Sequence, residues 1–207
     1  MAEKVKKAAI FEETYRDYLE QLSTIDYLSR ADVLGARTSG NELIITFYGN
    51  EYRVSTNGIT DASGEKANFA ICVVLCKYIL VCPNEVMQDG MWATYREFKH
   101  AGPLIGYFNA NTNKTIESTF SGRMDLLVAS SQRLGAKPLE DGAAYDLSLM
   151  FNALPRIPVL LRFNDGDAEF PAQCSILFRQ SAEHYLDMES LAIAGTFLAG
   201  NLIKPRS

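Results

Sequence analysis

A chain of 207 residues with 47% hydrophobic and 22% charged side chains has the composition of an ordinary globular protein, able to bury a core without disulfides or structural metal. Its net charge of −5 and pI near 5.1 argue against a nucleic-acid partner, which needs a basic face. The expectation is one domain over residues 1–207, with a small N-terminal lobe over 1–64 as the alternative.

From Glu3 to about Leu22, Val5, Ala8, Phe11, Tyr15, Tyr18 and Leu22 recur at steps of three or four, which predicts a helix with one apolar stripe. Lys4, Lys6 and Lys7 form the strongest basic cluster and read as the solvated end of that helix. No apolar run of signal-peptide length precedes the acidic residues, so the segment is not read as a targeting sequence. Asp26 is placed to cap a second short helix, which Gly35 ends. "NELIITFYGNEYRVSTNG" switches to a period of two and predicts two strands joined at Gly49-Asn50.

"ANFAICVVLCKYILVCP" is the most apolar run. Lys77 interrupts it and Pro83 ends it, so it falls short of the roughly 20 apolar residues of a membrane span. It predicts a helix buried on nearly every side, over about Lys66 to Cys82. Without a secretion signal, Cys72, Cys76, Cys82 and Cys174 are expected as reduced thiols in a cytoplasm. Cys72 and Cys76 share a helix face while Cys82 points about 240° away, so buried small hydrophobes are the reading. No metal and no cofactor is assigned.

"DGMWATYREF" reads as strand-like, because Trp92, Tyr95 and Phe98 sit badly on one helix face. "NTNKTIESTFSGRMDLLVASSQRLGAKP" predicts one helix, with Ile116, Phe120, Met124, Leu127 and Leu134 along one side and Gly135 and Pro138 as its stop. Gly122 inside it costs about 1 kcal/mol against Ala, which points to close packing there. "AYDLSLMF" follows as a strand with Tyr145, Leu147, Leu149 and Phe151 facing one way. "IPVLLRF" and "EFPAQCSILF" complete the strands, and a final helix runs from about Asp187 to Ile203. The class is α+β: an antiparallel or mixed sheet with helices packed on it and two β-hairpin regions.

Within "NALPRIPVLLRFNDGDAEFPA", Pro155 and Pro158 stiffen the chain and cannot donate ladder hydrogen bonds, which predicts a strand start at an edge or rim. Asp165, Asp167 and Glu169 complete no calcium-loop pattern. They read as a polar hairpin turning at Asp165-Gly166, with Phe170, Ala172, Cys174, Ile176 and Phe178 alternating onto one face beyond it.

Arg96, Arg156 and Arg162 stand among apolar or aromatic residues, so each needs an anionic partner, either a protein carboxylate or a bound anion. The candidate ligand-binding set is Trp92, Tyr95, Arg96 and Arg156, for a small anionic molecule or cofactor. Two alternatives stand beside it. One is a hydrolase or transferase using a carboxylate with His100 or His184; the other is a protein-interaction or accessory subunit. No catalytic residue is assigned, and oligomeric state is left open.

Three stretches, "WATYREF", "FNALPRIPVLLRFNDGDAEFPAQCSILF" and "SAEHYLDMESL", carry a resemblance to the domain of unknown function numbered 3786, found largely in anaerobic bacteria. The resemblance implies an anaerobic setting and no mechanism. Some relatives carry an additional iron–sulfur module whose cysteine spacing this chain lacks. Where relatives tend to show an aspartate after "ILF", this chain has Arg179.

Overall fold

The computed structural model describes residues 2–140 and 142–204, with the side chains of 2–9 outside the described set. The expectations for Lys4, Val5, Lys6, Lys7 and Ala8 as side chains fall there. Helix α1 (Ala2–Ser23) leads into a 3-10 turn and the short helix α2 (Ala31–Leu34). Asp26 Oδ1 accepts from the Ser29 N–H at 3.3 Å. Gly35, at φ +67°, closes α2 in the left-handed region that glycine adopts without a Cβ penalty.

Four strands then form an antiparallel meander, β1 (Arg37–Ser39), β2 (Glu42–Phe47), β3 (Asn50–Ser55) and β4 (Gly58–Asp61). The β2–β3 turn falls one residue earlier than expected. Phe47 pairs with Asn50, leaving Tyr48 and Gly49 as the two-residue loop, both at positive φ. That is the geometry matching the twist of a two-residue hairpin. A tyrosine tolerates it because its ring is anchored: it is 4% exposed and its hydroxyl donates to the Ala194 carbonyl at 2.9 Å.

Helix α3 (Phe69–Leu80) is the buried helix. Asn68 caps it, its side-chain oxygen accepting from the Ile71 N–H at 3.1 Å. Eight of its residues are buried, so it is packed on nearly every side. Strand β5 (Trp92–Thr94) follows, and the chain then runs through α4 (Ile105–Phe108), a π-helical turn over Asn109–Asn113, α5 (Lys114–Phe120) and α6 (Met124–Arg133). The single helix expected here is two, broken at Gly122. Its φ is +67° and an added Cβ would meet nothing within 4 Å. Backbone conformation, not close packing, requires glycine there, and Asp165 Oδ1 accepts the freed Gly122 N–H at 2.7 Å.

The second sheet runs β5-β9-β8-β7-β6, antiparallel throughout, from β6 (Lys137–Pro138), β7 (Leu147–Leu154), β8 (Ile157–Asn164) and β9 (Gln173–Arg179). The proline-flanked strand β8 is therefore central, not an edge. The prolines are accommodated because Pro155 lies in the β7–β8 turn and Pro158 pairs with Asn152 of β7 ahead of the β8–β9 pairing, which begins at Val159. The loop from β8 to β9 is longer than a tight turn. Asn164 pairs with Gln173, Asp167 Oδ1 accepts from Glu169 and Phe170 N–H groups, and Phe170 is 64% exposed rather than on the strand face. Tyr145 likewise leaves the β7 stripe and lies under the Arg162 guanidinium, 4.8 Å from centroid to Cζ.

The last helix, α7 (Met188–Leu202), is capped by Asp187, whose Oδ1 accepts from Ser190 N–H at 2.8 Å. Leu191, Ala194, Leu198 and Leu202 are buried. They join Leu43 and Ile45 of the first sheet, Val159 and Phe178 of the second and Leu75 of α3 in one continuous core cluster.

Candidate functional site

The edge of the second sheet is where local structure opens a cavity. Strand β5 covers β9 only from Arg179 to Leu177. At Thr94 the chain turns away, because Glu97 Oε2 accepts from both the Thr94 N–H and its hydroxyl at 2.6 Å, which starts a 3-10 turn over Tyr95–Glu97. Residues Cys174 and Ile176 of β9 are left with outward N–H groups and no strand beside them. The returning helix satisfies both: Glu117 Oε1 accepts from Cys174 N–H at 3.0 Å and Asn113 Oδ1 from Ile176 N–H at 3.2 Å. Side chains thus close an edge that would otherwise invite another strand.

Between the end of β5 and the π-helical turn, the two layers do not meet, and a cavity of about 470 Å³ remains. Tyr95 and Phe108 form its aromatic wall, stacked at 4.3 Å. Gly195 of α7 makes room for this pair, since a Cβ there would fall 2.4 Å from Phe108 Cε2. The Tyr95 hydroxyl donates to Met188 O at 2.7 Å. Its phenol is pushed up to about 12 by burial, with the Asp187 and Glu189 charges adding to the effect. Asn109 and Asn113 line the same space, with Asn113 Nδ2 donating to Asn109 Oδ1 at 3.3 Å. Arg96 stands at the mouth, exposed, and among the described residues its guanidinium has no hydrogen-bond or ion-pair partner.

Burial holds the Cys174 thiol well above its ordinary pKa, and the Glu117 carboxylate pushes it the same way. It is a neutral thiol, not a nucleophile. The lining contains neither histidine nor carboxylate. The arrangement can therefore grip an acceptor and pack an apolar group, but the wall offers no evident general base.

Of the four residues selected from the sequence, Tyr95 and Arg96 share this cavity; Trp92 and Arg156 lie elsewhere. Trp92 stacks beneath the Arg179 guanidinium at 4.0 Å, and Arg179 Nη1 donates to Gly90 O at 3.1 Å. Arg156 donates from Nε to Val33 O at 3.0 Å and from Nη2 to Asp32 O at 2.9 Å, at the C-terminal end of α2. Its partners are backbone carbonyls carrying the negative end of a helix turn rather than a carboxylate. Asn109, Asn113 and Phe108 were not singled out from the sequence. The only signal for the asparagines was "NANTN", and a π-helical turn has no composition that announces it.

Two other cavities differ in character. One, of about 530 Å³, is lined in part by Glu97, Lys99, Glu183 and His184. Neither His184 nor His100 has a hydrogen-bonded carboxylate among the described residues. The other, of about 290 Å³, lies between α1 and α3 under the Lys66–Glu12 ion pair at 2.9 Å, so its charges are already matched. Among the described residues no group of three or more His, Cys, Asp or Glu is placed to hold a metal ion, and no helix is long and apolar enough to cross a membrane.

The structure is thus an α+β protein of two antiparallel sheets on one core, with a cavity beside an unfinished sheet edge. The chain belongs to the family described as a domain of unknown function (DUF3786), whose model matches residues 26–201. No curated protein and no solved structure matches it.

Proposed function

We propose that this chain is a binding module for a small anionic molecule, held in the cavity between β5, β9 and the π-helical turn. The observation that carries the reading is Arg96. Arg156 and Arg179 spend their guanidinium groups on backbone carbonyls or an aromatic ring, whereas the Arg96 guanidinium, among the described residues, makes no hydrogen bond or ion pair and feels only the charge of the neighbouring Glu97, at a concave, partly apolar surface. The aromatic wall and the paired amides supply packing and orientation, and the absence of any histidine or carboxylate in the lining favours binding over acid–base chemistry. The reading carries a cytoplasmic setting, which four free thiols suit, and the family resemblance adds an anaerobic one.

The experiment is a thermal-shift screen of small carboxylates, phosphate and sulfate on the parent and on Arg96→Gln. An anion at a hundred times its Kd stabilises by about 2.7 kcal/mol, which in a chain of this length raises Tm by about 5 °C or more. The parent is expected to respond and the variant not to. If no anion moves Tm, or if both proteins shift equally, the cavity is not the anion site.

A further inference from the structure

We infer that the cavity takes a carboxylate carrying an apolar tail, and that Asn113 sets the polarity with which Asn109 meets it. This deepens the anion-binding reading and rests on it. A backbone N–H can only donate, so the bond from Ile176 N–H at 3.2 Å fixes Asn113 with its Oδ1 toward the strand. Asn113 Nδ2 must then face the other way, where it donates to Asn109 Oδ1 at 3.3 Å. That second bond fixes Asn109 in turn and leaves its Nδ2 as the free end of the relay, with no acceptor among the described residues. The orientation of two side-chain amides, ordinarily ambiguous, is thus imposed from the sheet edge.

The cavity therefore presents a planar amide donor from Asn109 and a planar guanidinium fork from Arg96. Two planar donors in one lining match a carboxylate, whose two oxygens lie in one plane with four lone-pair directions. Ile105, Phe108 and Ile176, with the Tyr95 ring, give the wall its apolar part, beside the smaller polar groups of Thr94 and Ser175. A fully polar anion such as phosphate would leave that apolar part without a partner, whereas an aliphatic or aromatic tail would cover it. Gly106 also lines the cavity, and a Cβ added to it would meet nothing within 4 Å. A larger side chain there can fill the space without displacing protein atoms.

The test uses the full chain and four probes, hexanoate, its neutral amide hexanamide, acetate and inorganic phosphate, titrated by calorimetry into the parent, Asn113→Asp and Gly106→Leu. In the parent, hexanoate is expected to bind about tenfold more tightly than hexanamide or acetate, since each lacks one of the two matched features. In Asn113→Asp the new carboxylate still accepts from Ile176 N–H, so the fold is retained. Asn109 then turns its Nδ2 toward residue 113 and shows Oδ1 to the cavity. Hexanoate is expected to weaken by about tenfold while hexanamide strengthens by about threefold. The neutral amide separates this reversal from simple charge repulsion, which does not attract it. Gly106→Leu is expected to abolish binding of hexanoate with an unchanged circular dichroism spectrum.

Equal affinity for hexanoate and hexanamide in the parent, or no gain for hexanamide in Asn113→Asp, overturns the inference. Phosphate binding without hexanoate binding overturns it too, while leaving the anion site standing. Silence from every anion removes both.

Discussion

The backbone N–H of Tyr48 donates to the carbonyl of Ala153 at 2.9 Å, joining the turn of the first sheet to a strand of the second. The carbonyl is available because the β7–β8 register slips between Asn152 and Leu154 and leaves Ala153 without a β8 partner. A bulge that looks like a local irregularity is thus the contact that fixes one sheet against the other. Tyr48 completes the joint from its side chain, its ring stacked on Phe197 at 5.8 Å and its hydroxyl on Ala194 O. The positive φ at Tyr48 is tolerated because three contacts hold the residue in place.

That joint is testable by two substitutions. Tyr48→Phe removes one buried hydrogen bond and is expected to lower unfolding stability by about 1 kcal/mol. Tyr48→Gly relieves the backbone strain but deletes a buried ring, and the loss is expected to be larger, about 3 kcal/mol. Urea denaturation gives both numbers. A Tyr48→Gly protein as stable as the parent would show that the ring contributes no more than the backbone strain it imposes.

Arg156 and Arg96 separate structure from binding. Arg156 ties the Asp32 and Val33 carbonyls to the β7–β8 turn, and its N–H donates to the Tyr78 hydroxyl, which itself donates to Leu34 O at 2.7 Å. Arg156→Ala is expected to cost about 2 kcal/mol, the range for hydrogen bonds to a charged group. Arg96→Ala is expected to leave the urea midpoint nearly unchanged, since its guanidinium makes no hydrogen bond or ion pair among the described residues and its charge is the smallest of the influences on Glu97, and to lose anion binding. Reversed outcomes would place the recognition site at the α2 end instead.

What the sequence disclosed follows from how far each determinant reaches. Helices α3 and α7 were legible because apolar spacing shows over a few turns of chain, while the Asn68 cap, which starts α3 at Phe69 rather than near Lys66, went unread. The hairpin between β2 and β3 was legible to within one residue, and the shift to Tyr48-Gly49 comes from Ala194, far along the chain. The break at Gly122 looked like a weak helix position because Asp165, its partner, sits on another loop. The central place of β8 was hidden because β9 pairs with it only from Val159 onward, past both prolines. Tyr95 and Arg96 are neighbours in sequence and so arrive at the cavity together. Arg156 could not be sorted by residue type, because its acceptors are carbonyls and every residue has one.

The aromatic wall of the cavity depends on a residue that touches no ligand. Gly195 leaves the space occupied by the Phe108 ring, and a Cβ would stand 2.4 Å from it. Gly195→Ala must push Phe108 toward Tyr95 and the cavity. The expected cost is about 1–3 kcal/mol, typical of overpacking, together with weaker binding of whatever ligand the parent takes. A stability gain, as the helix propensity of Ala alone would give, would show that the ring moves freely.

The thiols should react in a fixed order. Cys72, Cys76 and Cys174 are buried, and burial pushes each thiol up, Cys76 to about 12. Cys82 is half-buried; burial raises it too, partly offset by the positive charge of Arg30. A thiol reagent at pH 8 is expected to label one site in the native protein, Cys82, and all four only after unfolding. Peptide mapping after a timed reaction reads the order. Labelling of Cys174 before Cys82 would mean that the β9 edge opens far more readily than its Glu117 and Asn113 caps suggest.

The turn that ends β5 gives the chain an acid-sensitive element. Glu97 is held below its ordinary value of 4.5, first by the Thr94 hydroxyl and then by the Thr94 N–H, both donating to its carboxylate. Because the folded carboxylate is the weaker proton acceptor, the unfolded chain binds the proton first as pH falls. The stabilisation is therefore complete above about 4.5 and is lost as pH drops from there through the lower folded value. Glu97→Gln keeps an acceptor but no charge, so its stability should change less steeply than the parent's between pH 5 and about 3. Urea midpoints at successive pH values compare the two. If the slopes coincide, the Thr94–Glu97 bonds do not persist in solution, and the turn that opens the cavity must be held by the Tyr95 contacts to Phe108 and Met188 instead.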